Sequence, residues 1–387
     1  KYTYKERKSV IGRSDMAQNC VTVVEIGSSK LSCIIAERGL NNTFIVKAKA
    51  SVEYAGFFEG EFVESAYLVD AVLSLFSQIS STYKKKIKKV FVGVPAEFSK
   101  VVTCEEQMNF KFKHSINKND IDYLFNQASI NHSEEDMEVV TVNPISYTLD
   151  DSKNIQNPLK QKSYSLGAEL SIIMVQSHFV KTFNKIWTRV GIEQVEYLSE
   201  PLCESMFILS KEERERTCIV IDVGARSTSV SFVKGDALTN LTSFSMGGSY
   251  ITSDLSEACG ISYGDARNLK KEIVLSVRGD KDDFYELMTL GGKIIRIPLN
   301  YVNEAVCYRI GIIASTINEC IRLFAKEYVP FYPIYLCGAG ITKIKGGKDY
   351  LAKCLGRNVS YGIPPVPSMD KPELASILGL INFALNS

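Results

Sequence analysis

Two carboxylates, Glu25 and Asp222, each lie near the end of an apolar run and two residues before a glycine. Small hydroxyl residues follow each glycine within four positions, and a second run of strand-forming residues comes after them. This pattern predicts a tight hairpin whose tip exposes backbone N–H groups and hydroxyls. Such a tip can hold phosphate, and the nearby carboxylate can hold Mg²⁺ through the water ligands that this ion keeps. Two tips facing each other would hold a triphosphate from both sides.

The residues expected to contact phosphate come from both hairpins, and the charged ones have alternative roles. Lys30 would neutralise phosphate charge, or it is a solvent-facing strand lysine. Glu25 and Asp222 would orient Mg²⁺, or they only stabilise their turns. Backbone and hydroxyl groups are expected from Gly27, Ser28 and Ser29 in the first hairpin, and from Gly224, Ser227 and Thr228 in the second.

A third element favours a nucleotide as the ligand. The apolar run 333–337 predicts a buried strand, and Gly338, Ala339 and Gly340 follow it. Glycines at that point let the backbone come close to a flat ligand such as adenosine. Two phosphate turns and then a Gly-rich turn, in this order, resemble the signature of the superfamily of actin, heat-shock chaperones and sugar kinases. The expected fold is α/β, an actin-like (ribonuclease H-like) fold of two lobes.

Composition narrows the classes of function. The chain has 387 residues, of which 45% are hydrophobic, so it can build two or more domains with full cores. Its formal net charge of +1 argues against general nucleic-acid binding. No apolar run approaches the ~18–20 residues that span a bilayer, and the first residues lack the apolar segment of a signal peptide. Because the chain begins with Lys1 rather than Met, we expect further residues upstream.

The cysteines and histidines predict no zinc site. The ten cysteines are scattered singly, with no Cys-x-x-Cys pair, and several lie in apolar runs. They are expected to be small buried residues in a reducing compartment. With only three histidines, His114, His132 and His178, neither a zinc site nor a Ser-His-Asp triad is expected.

Four segments make the sequence similar to the FtsA family of bacterial cell-division proteins, over residues 21–384. Residues 90–166 correspond to the small α+β subdomain, called 1C or SHS2, that this family carries inside its first lobe. The four segments are Val23–Lys30, Val142–Asp150, Gly247–Leu255 and Pro372–Ala384. In the first, Glu25 stands where actin has Asp. The second is accompanied by Asn157, Pro158 and Gly167.

The resemblance implies subdomain bounds and further site residues. Glu200 would position the attacking water, unless Glu200-Pro201 merely starts a helix. Gly248 and Lys270 would lie beside the nucleotide. The implied divisions are a flexible basic tail at 1–18, lobe 1A at 19–89, 167–196 and 367–387, subdomain 1C at 90–166, lobe 2A at 197–243 and 326–366, and subdomain 2B at 244–325.

Three features depart from the family pattern. Ala225 and Arg226 stand where the family has two further glycines in its second phosphate turn, and a Cβ at positive φ costs about 1 kcal/mol. Arg226 either contacts a phosphate or folds outward, which puts fast hydrolysis in doubt more than binding. Arg267 stands where the family typically has an acidic residue. The family's C-terminal linker and amphipathic membrane helix are not among these residues, so the expectation is a truncated chain or another means of anchoring.

The resemblance implies an adaptor that binds ATP and Mg²⁺, forms filaments and hydrolyses ATP weakly at most. It would tether FtsZ to the cytoplasmic face of the inner membrane at the division site and recruit later division proteins through 1C. The C-terminal tail of FtsZ would dock on 2B, where Lys293 and Arg309 would pair with it, unless both are merely exposed cations. Two other functions stay open: a PilM-like pilus-assembly protein, which shares the insertion, and a sugar kinase or phosphatase of the same superfamily.

Overall fold

The computed structural model describes residues 20–40, 43–150, 152–276, 280, 283–324 and 332–387. The predicted tail at 1–18 lies outside these residues. The first lobe has a five-stranded sheet of β1 (Cys20–Ile26), β2 (Lys30–Arg38), β3 (Phe44–Glu53), β6 (Lys89–Val94) and β11 (Gln194–Ser199). Its order is β11-β6-β1-β2-β3, with β1 to β3 antiparallel and β6 and β11 parallel to β1. A short hairpin of β4 (Phe57–Phe58) and β5 (Glu61–Phe62) and two helices, α1 (Ser65–Thr82) and α3 (Ser177–Val190), complete this lobe.

The second lobe repeats this arrangement. Its sheet contains β12 (Cys218–Val223), β13 (Thr228–Lys234), β14 (Ala237–Phe244), β17 (Ile334–Cys337) and β18 (Val359–Tyr361). The order is β14-β13-β12-β17-β18, again an antiparallel meander followed by two parallel strands. Strands β1 and β12 are therefore equivalent, which places Glu25 and Asp222 at matching positions. The predicted two-lobe α/β fold is confirmed.

A separate unit is inserted between β6 and α3. It contains β7 (Ser99–Ser115), α2 (Lys118–Asn131), β8 (Met137–Leu149), β9 (Ser152–Ile155) and β10 (Lys162–Gln176), and its antiparallel sheet has the order β7-β10-β8-β9. The predicted range 90–166 differs from these bounds. Val90–Val94 pairs with β1 inside the first sheet because it is a buried central strand, and β10 continues to Gln176. The inserted unit therefore lies later in the chain than expected.

Helices cover the remaining faces. The chain between β14 and β17 forms α6 (Gly248–Cys259), α7 (Tyr263–Glu272), the hairpin of β15 (Phe284–Met288) and β16 (Ile294–Pro298), and the long α8 (Leu299–Phe324). The turn of this hairpin contains Gly291 and Gly292. The other helices are α4 (Glu200–Ile208), α5 (Lys211–Arg214), α9 (Ala339–Thr342), α10 (Gly347–Leu355) and α11 (Ala375–Asn386). Among the described helices, none has the length and apolar character to cross a membrane.

The core of the first lobe is rich in aromatic rings. The Phe179 ring centre lies 4.8 Å from those of both Phe98 and Phe183. Phe183 stacks on Trp187 at 5.6 Å, and these side chains are almost fully buried. Trp187 is the only tryptophan in the chain, so its fluorescence reports on this core.

Phe179→Ala should lower the denaturant midpoint of the first lobe, because removal of a buried ring costs about 3–5 kcal/mol. Trp187 fluorescence follows this unfolding. Phe112→Ala is the matched control, since the Phe112 side chain is 81% exposed, and its effect should stay within about 0.5 kcal/mol. Equal midpoints for the two variants would contradict the structural role of the ring cluster.

Candidate nucleotide-binding site

The tips of the two hairpins meet across the cleft between the lobes. The backbone N–H of Arg226 donates to Ser28 Oγ at 3.0 Å. Each hairpin is closed in the same way, because Gly27 N–H donates to the carbonyl of Lys30 at 3.0 Å and Gly224 N–H donates to the carbonyl of Ser227 at 2.9 Å. The structure thus brings the two predicted phosphate turns together at equivalent ends of β1 and β12.

The two predicted metal carboxylates lie behind these tips. Glu25 accepts a hydrogen bond from Ser376 Oγ of α11 at 2.9 Å. The pKa of Asp222 is raised to about 7, mainly by burial and to a lesser extent by the negative charge of Glu25. A hydrogen bond with Glu204 acts to lower it. A nearby divalent cation would remove this penalty by stabilising the ionised form.

Glu200 and Glu204 add two more carboxylates from one face of α4. Burial raises the pKa of both well above the usual range, and the charges of Glu25 and Asp222 add to the effect. Glu200 Oε2 and Glu204 Oε1 are buried and have no hydrogen-bond partner among the described atoms. Orphaned carboxylate oxygens of this kind suit a hard cation or its water ligands, so the donor set fits Mg²⁺.

The sequence analysis missed Glu204 and Glu97. Glu204 could have been found, because it follows Glu200 by four residues and so shares its helical face. Glu97 lies just after β6. Burial raises its pKa to about 7, although a hydrogen bond with the Ser227 hydroxyl acts to lower it. No motif marks Glu97, because only the entry of the chain into the inserted unit brings it to the cleft.

Helix α6 begins against the second hairpin. Gly248 N–H donates to the carbonyl of Gly224 at 2.9 Å, and Ser249 N–H donates to the carbonyl of Ala225 at 2.7 Å. Lys270 Nζ donates to the carbonyl of Gly248 at 2.7 Å. Burial, followed by repulsion from Lys343, lowers the pKa of Lys270 to about 8. The structure therefore brings Gly248 and Lys270 together beside the second hairpin.

The glycines after β17 are needed for packing inside the protein. Gly338 has φ +77°, and a Cβ on it would lie 2.1 Å from Asp222 Oδ1. A Cβ on Gly340 would lie 2.6 Å from the carbonyl oxygen of Gly224. Ala339, between them, is exposed. The glycines thus let α9 approach β12 and the second hairpin. The close approach of a ligand at these glycines remains a prediction.

Both arginines that depart from the family pattern contact the first lobe. The Arg226 guanidinium donates to the carbonyl of Ala55, and Arg267 pairs with Glu53 at 2.7 Å. The Arg226 side chain therefore crosses the cleft to protein backbone instead of folding outward into solvent. Both contacts end within residues 53–55, at the end of β3 and the two positions that follow it.

Several predicted phosphate ligands have other partners. Lys30 is exposed and stands opposite Glu53 in the β2–β3 register, which corresponds to its solvent-facing alternative. The Ser29 carbonyl accepts from the Tyr54 N–H at 3.1 Å. Thr228 is buried, and its hydroxyl donates to the carbonyl of Met246 at 2.6 Å.

The two predicted partner-binding cations differ in their surroundings. Arg309 on α8 makes two hydrogen bonds to Asp254 of α6, at 2.6 and 2.7 Å, and its guanidinium lies over the Tyr250 ring. Lys293 is exposed in the turn between β15 and β16. Arg309 is therefore held in an ion pair rather than displayed as an exposed cation.

Comparisons with known proteins agree with this geometry. The family model for cell division protein FtsA matches residues 219–379, and the model for the SHS2 domain inserted in FtsA matches residues 99–174. Together they cover more than half of the chain. The chain belongs to the FtsA family. The SHS2 match coincides with the inserted unit at Ser99–Gln176.

FtsA relatives align along most of the chain. The Bacillus subtilis (strain 168) cell division protein FtsA is 21% identical over 377 residues, which is 93% of this chain and 82% of the relative. The FtsA of Escherichia coli (strain K12) is also 21% identical, over 99% of this chain and 91% of the relative. This chain is therefore an actin-like cell-division protein.

Solved structures support the actin-like fold. A chain of the PilM–PilN type IV pilus biogenesis complex has a TM-score of 0.63 at 16% identity, covering 96% of this chain and 100% of that one. MreB5 of Spiroplasma citri bound to AMPPNP has a TM-score of 0.56 at 11% identity, covering 94% and 96%. At these identities the similarity establishes the fold alone.

The buried carboxylates predict a stability that falls with rising pH. Folding raises the pKa of Asp222 from 3.8 to about 7, so in this window the folded chain binds more protons than the unfolded chain. The free energy of unfolding should therefore decrease as pH rises through this window. Asp222→Asn should reduce the decrease, measured as thermal midpoints of the nucleotide-free protein from about pH 5 to pH 8.

Asp349→Asn is the matched control, because the Asp349 side chain is 75% exposed. It should keep the parental pH dependence. An unchanged dependence in Asp222→Asn would contradict the assignment of the effect to the cleft.

Proposed function

We propose that this chain is an ATP- and Mg²⁺-binding adaptor of cell division. It forms filaments, links FtsZ to the cytoplasmic face of the inner membrane and helps recruit later division proteins through the inserted unit. The observation that carries the proposal is the meeting of two equivalent acidic hairpins across the cleft of an FtsA-family chain. Filament formation, FtsZ binding and membrane contact rest on the family resemblance.

The residues of the cleft suit nucleotide binding better than rapid hydrolysis. Glu25 and Asp222 would orient Mg²⁺ through its waters, and Mg²⁺ would neutralise phosphate charge when bound. Glu200 is the proposed water-positioning residue. Burial, with the charges of Glu25 and Asp222, raises the pKa of Glu200 well above its usual range, so its ionised, proton-accepting form is disfavoured in the cation-free cleft. The nucleotide would act as a switch, with weak ATPase activity at most.

The switch would operate through the contacts between the lobes. Ser28 Oγ and the Arg226 N–H are 3.0 Å apart, so a phosphate group placed between the tips must break this bond. The Arg226 side chain and the Arg267–Glu53 pair hold the same edge of the cleft. A nucleotide that separated the tips would favour a different arrangement of the lobes. The size of this shift would depend on how much more tightly the nucleotide binds that arrangement than the present one.

Arg226→Ala should increase ATP–Mg²⁺ affinity roughly tenfold, since a hydrogen bond from a charged group is worth about 1.5–3 kcal/mol. The substitution removes the bond to Ala55 and retains the backbone N–H. Isothermal titration calorimetry measures the affinity.

Arg267→Ala is the control, because the pair it breaks is more than half exposed and contributes little. Weaker binding in Arg226→Ala would instead assign the guanidinium to a phosphate. Absence of ATP binding in the parent chain would refute the nucleotide site.

The proposed surface for the FtsZ tail lies between α6 and α8. A groove of about 460 Å³ there is lined by Asp254, Glu257, Ala258, Tyr301, Glu304, Ala305 and Tyr308. Its acidic residues would repel an acidic tail, so Arg309 would have to leave Asp254 to contact it. Membrane contact is proposed through a part of the protein other than α11, because α11 is largely buried against α4 and β1.

Arg309→Ala should weaken binding of a labelled FtsZ tail peptide, measured by fluorescence anisotropy, and Lys293→Ala should weaken it to a lesser extent. Asp254→Asn is the matched variant, because it releases Arg309 from its ion pair. Retained or tighter binding in Asp254→Asn would support direct contact between Arg309 and the tail. Equal losses in Arg309→Ala and Asp254→Asn would show that the ion pair acts only through structure.

Two further outcomes would change the proposal. ATP binding without any tail affinity would favour a pilus-assembly role like that of PilM. Phosphoryl transfer to a sugar at about 1 per second or faster would favour an enzyme.

A further inference from the structure

Three side chains that can bind metal meet in the inserted unit, away from the nucleotide cleft. They are Cys104 and Glu106 of β7 and His132 at the end of α2. One possible ligand atom from each lies within 4.8 Å of those from the other two. All three residues are partly buried, so a metal ion could reach them from solvent.

Two of the three side chains lie on a strand, and the third is the C-cap residue that directly follows a packed helix. Cys104 and Glu106 are two residues apart on one strand and therefore point to the same face of the sheet. Helix α2 packs on that face through Leu124 and Ala128, which are fully buried. His132 is the residue that ends this helix. Ligands placed on packed elements keep their positions better than ligands on loops.

Hydrogen bonds orient two of the three side chains. In known metal sites, similar hydrogen bonds come from groups that hold the ligands without binding the metal themselves. His132 Nδ1 lies 3.2 Å from the carbonyl oxygen of Ala128. A carbonyl only accepts, so Nδ1 carries the proton and Nε2 of the neutral ring keeps its lone pair. Asn131 Nδ2 donates to Glu106 Oε1 at 3.0 Å, which leaves Oε2 available. Hydrogen bonds of this kind fix the tautomer and the direction of metal ligands.

We propose that Cys104, Glu106 and His132 form a binding site for a divalent transition-metal ion, with Zn²⁺ as the favoured ion. Sulfur, nitrogen and oxygen donors together suit Zn²⁺, whereas Mg²⁺ and Ca²⁺ require oxygen ligands. Three protein ligands leave a fourth position for water. When the ion binds, the Cys104 thiol releases its proton to solvent and its sulfur lone pair forms the bond to the metal.

No zinc site was expected from the sequence, because the chain has no Cys-x-x-Cys pair and only three histidines. The fold supplies the proximity instead, by packing the end of α2 over β7. A bound ion would cross-link the end of α2 to β7, an edge strand of the inserted sheet. It would thereby stabilise the folded state of this unit.

Cobalt(II) titration of the purified chain tests the site. Bound Co²⁺ should give thiolate-to-cobalt charge-transfer absorption, which Zn²⁺ should then abolish by displacement. Cys104→Ser should lose this absorption. Glu106→Gln and His132→Gln should each weaken Zn²⁺ affinity at least about tenfold. Zn²⁺ should raise the thermal midpoint of the parent more than that of Cys104→Ser, Glu106→Gln or His132→Gln.

Matched variants separate this cluster from other thiols and carboxylates. Cys259→Ser changes another partly buried cysteine, Glu105→Gln changes the neighbour on the opposite face of β7, and Asp222→Asn changes the cleft. All three should retain the absorption. No charge-transfer absorption in the parent, its persistence in Cys104→Ser, or its loss in Cys259→Ser would overturn the proposal. Far-UV circular dichroism identifies any variant that fails to fold.

Discussion

The accumulation of buried carboxylates between the lobes is the constraint on which the rest of this structure depends. Glu25, Glu200, Glu204 and Asp222 approach one another from both lobes, and orphaned oxygens remain on α4. Burying several such charges together without compensation is very costly, so the cleft must take up protons or a cation. Burial raises the pKa of Glu200, Glu204 and Asp222, which favours their protonated forms in the nucleotide-free chain, and a bound metal ion would favour the ionised forms instead.

The second hairpin shows how a changed motif can keep its place in a fold. In this chain an arginine replaces a family glycine, and its backbone N–H still faces Ser28 across the cleft. The side chain then crosses to Ala55, next to the residue that Arg267 contacts. Two departures that look unrelated in the sequence therefore contact the same edge of the first lobe. Neither Ala225 nor Arg226 has a positive φ, so the strain expected in this turn is not present, and both arginines add contacts between the lobes.

The sequence predicted the parts of the fold that repeat locally. Each acidic hairpin is contained in one short segment, and its duplication was sufficient to indicate two equivalent sheets. The inserted unit was recognised from its motif, but its bounds were wrong at both ends because Val90–Val94 belongs to a central strand that only tertiary pairing identifies. Three features depend on contacts between distant segments: the position of Glu97 in the cleft, the pairing of Arg309 with Asp254, and the cluster around Cys104. No periodicity or spacing signals such contacts, so reasoning from the sequence could not find them.

Helix α11 has a consequence for the order in which the protein is made. It supplies apolar side chains to the layer between β1 and α4, and its Ser376 donates to Glu25. Among the described elements it is the last to leave the ribosome. A nascent chain that has not yet emerged to residue 375 therefore lacks both this layer and one partner of the cleft. The first lobe, although begun earlier, therefore still lacks one of its layers after all the strands of the second sheet have been synthesised.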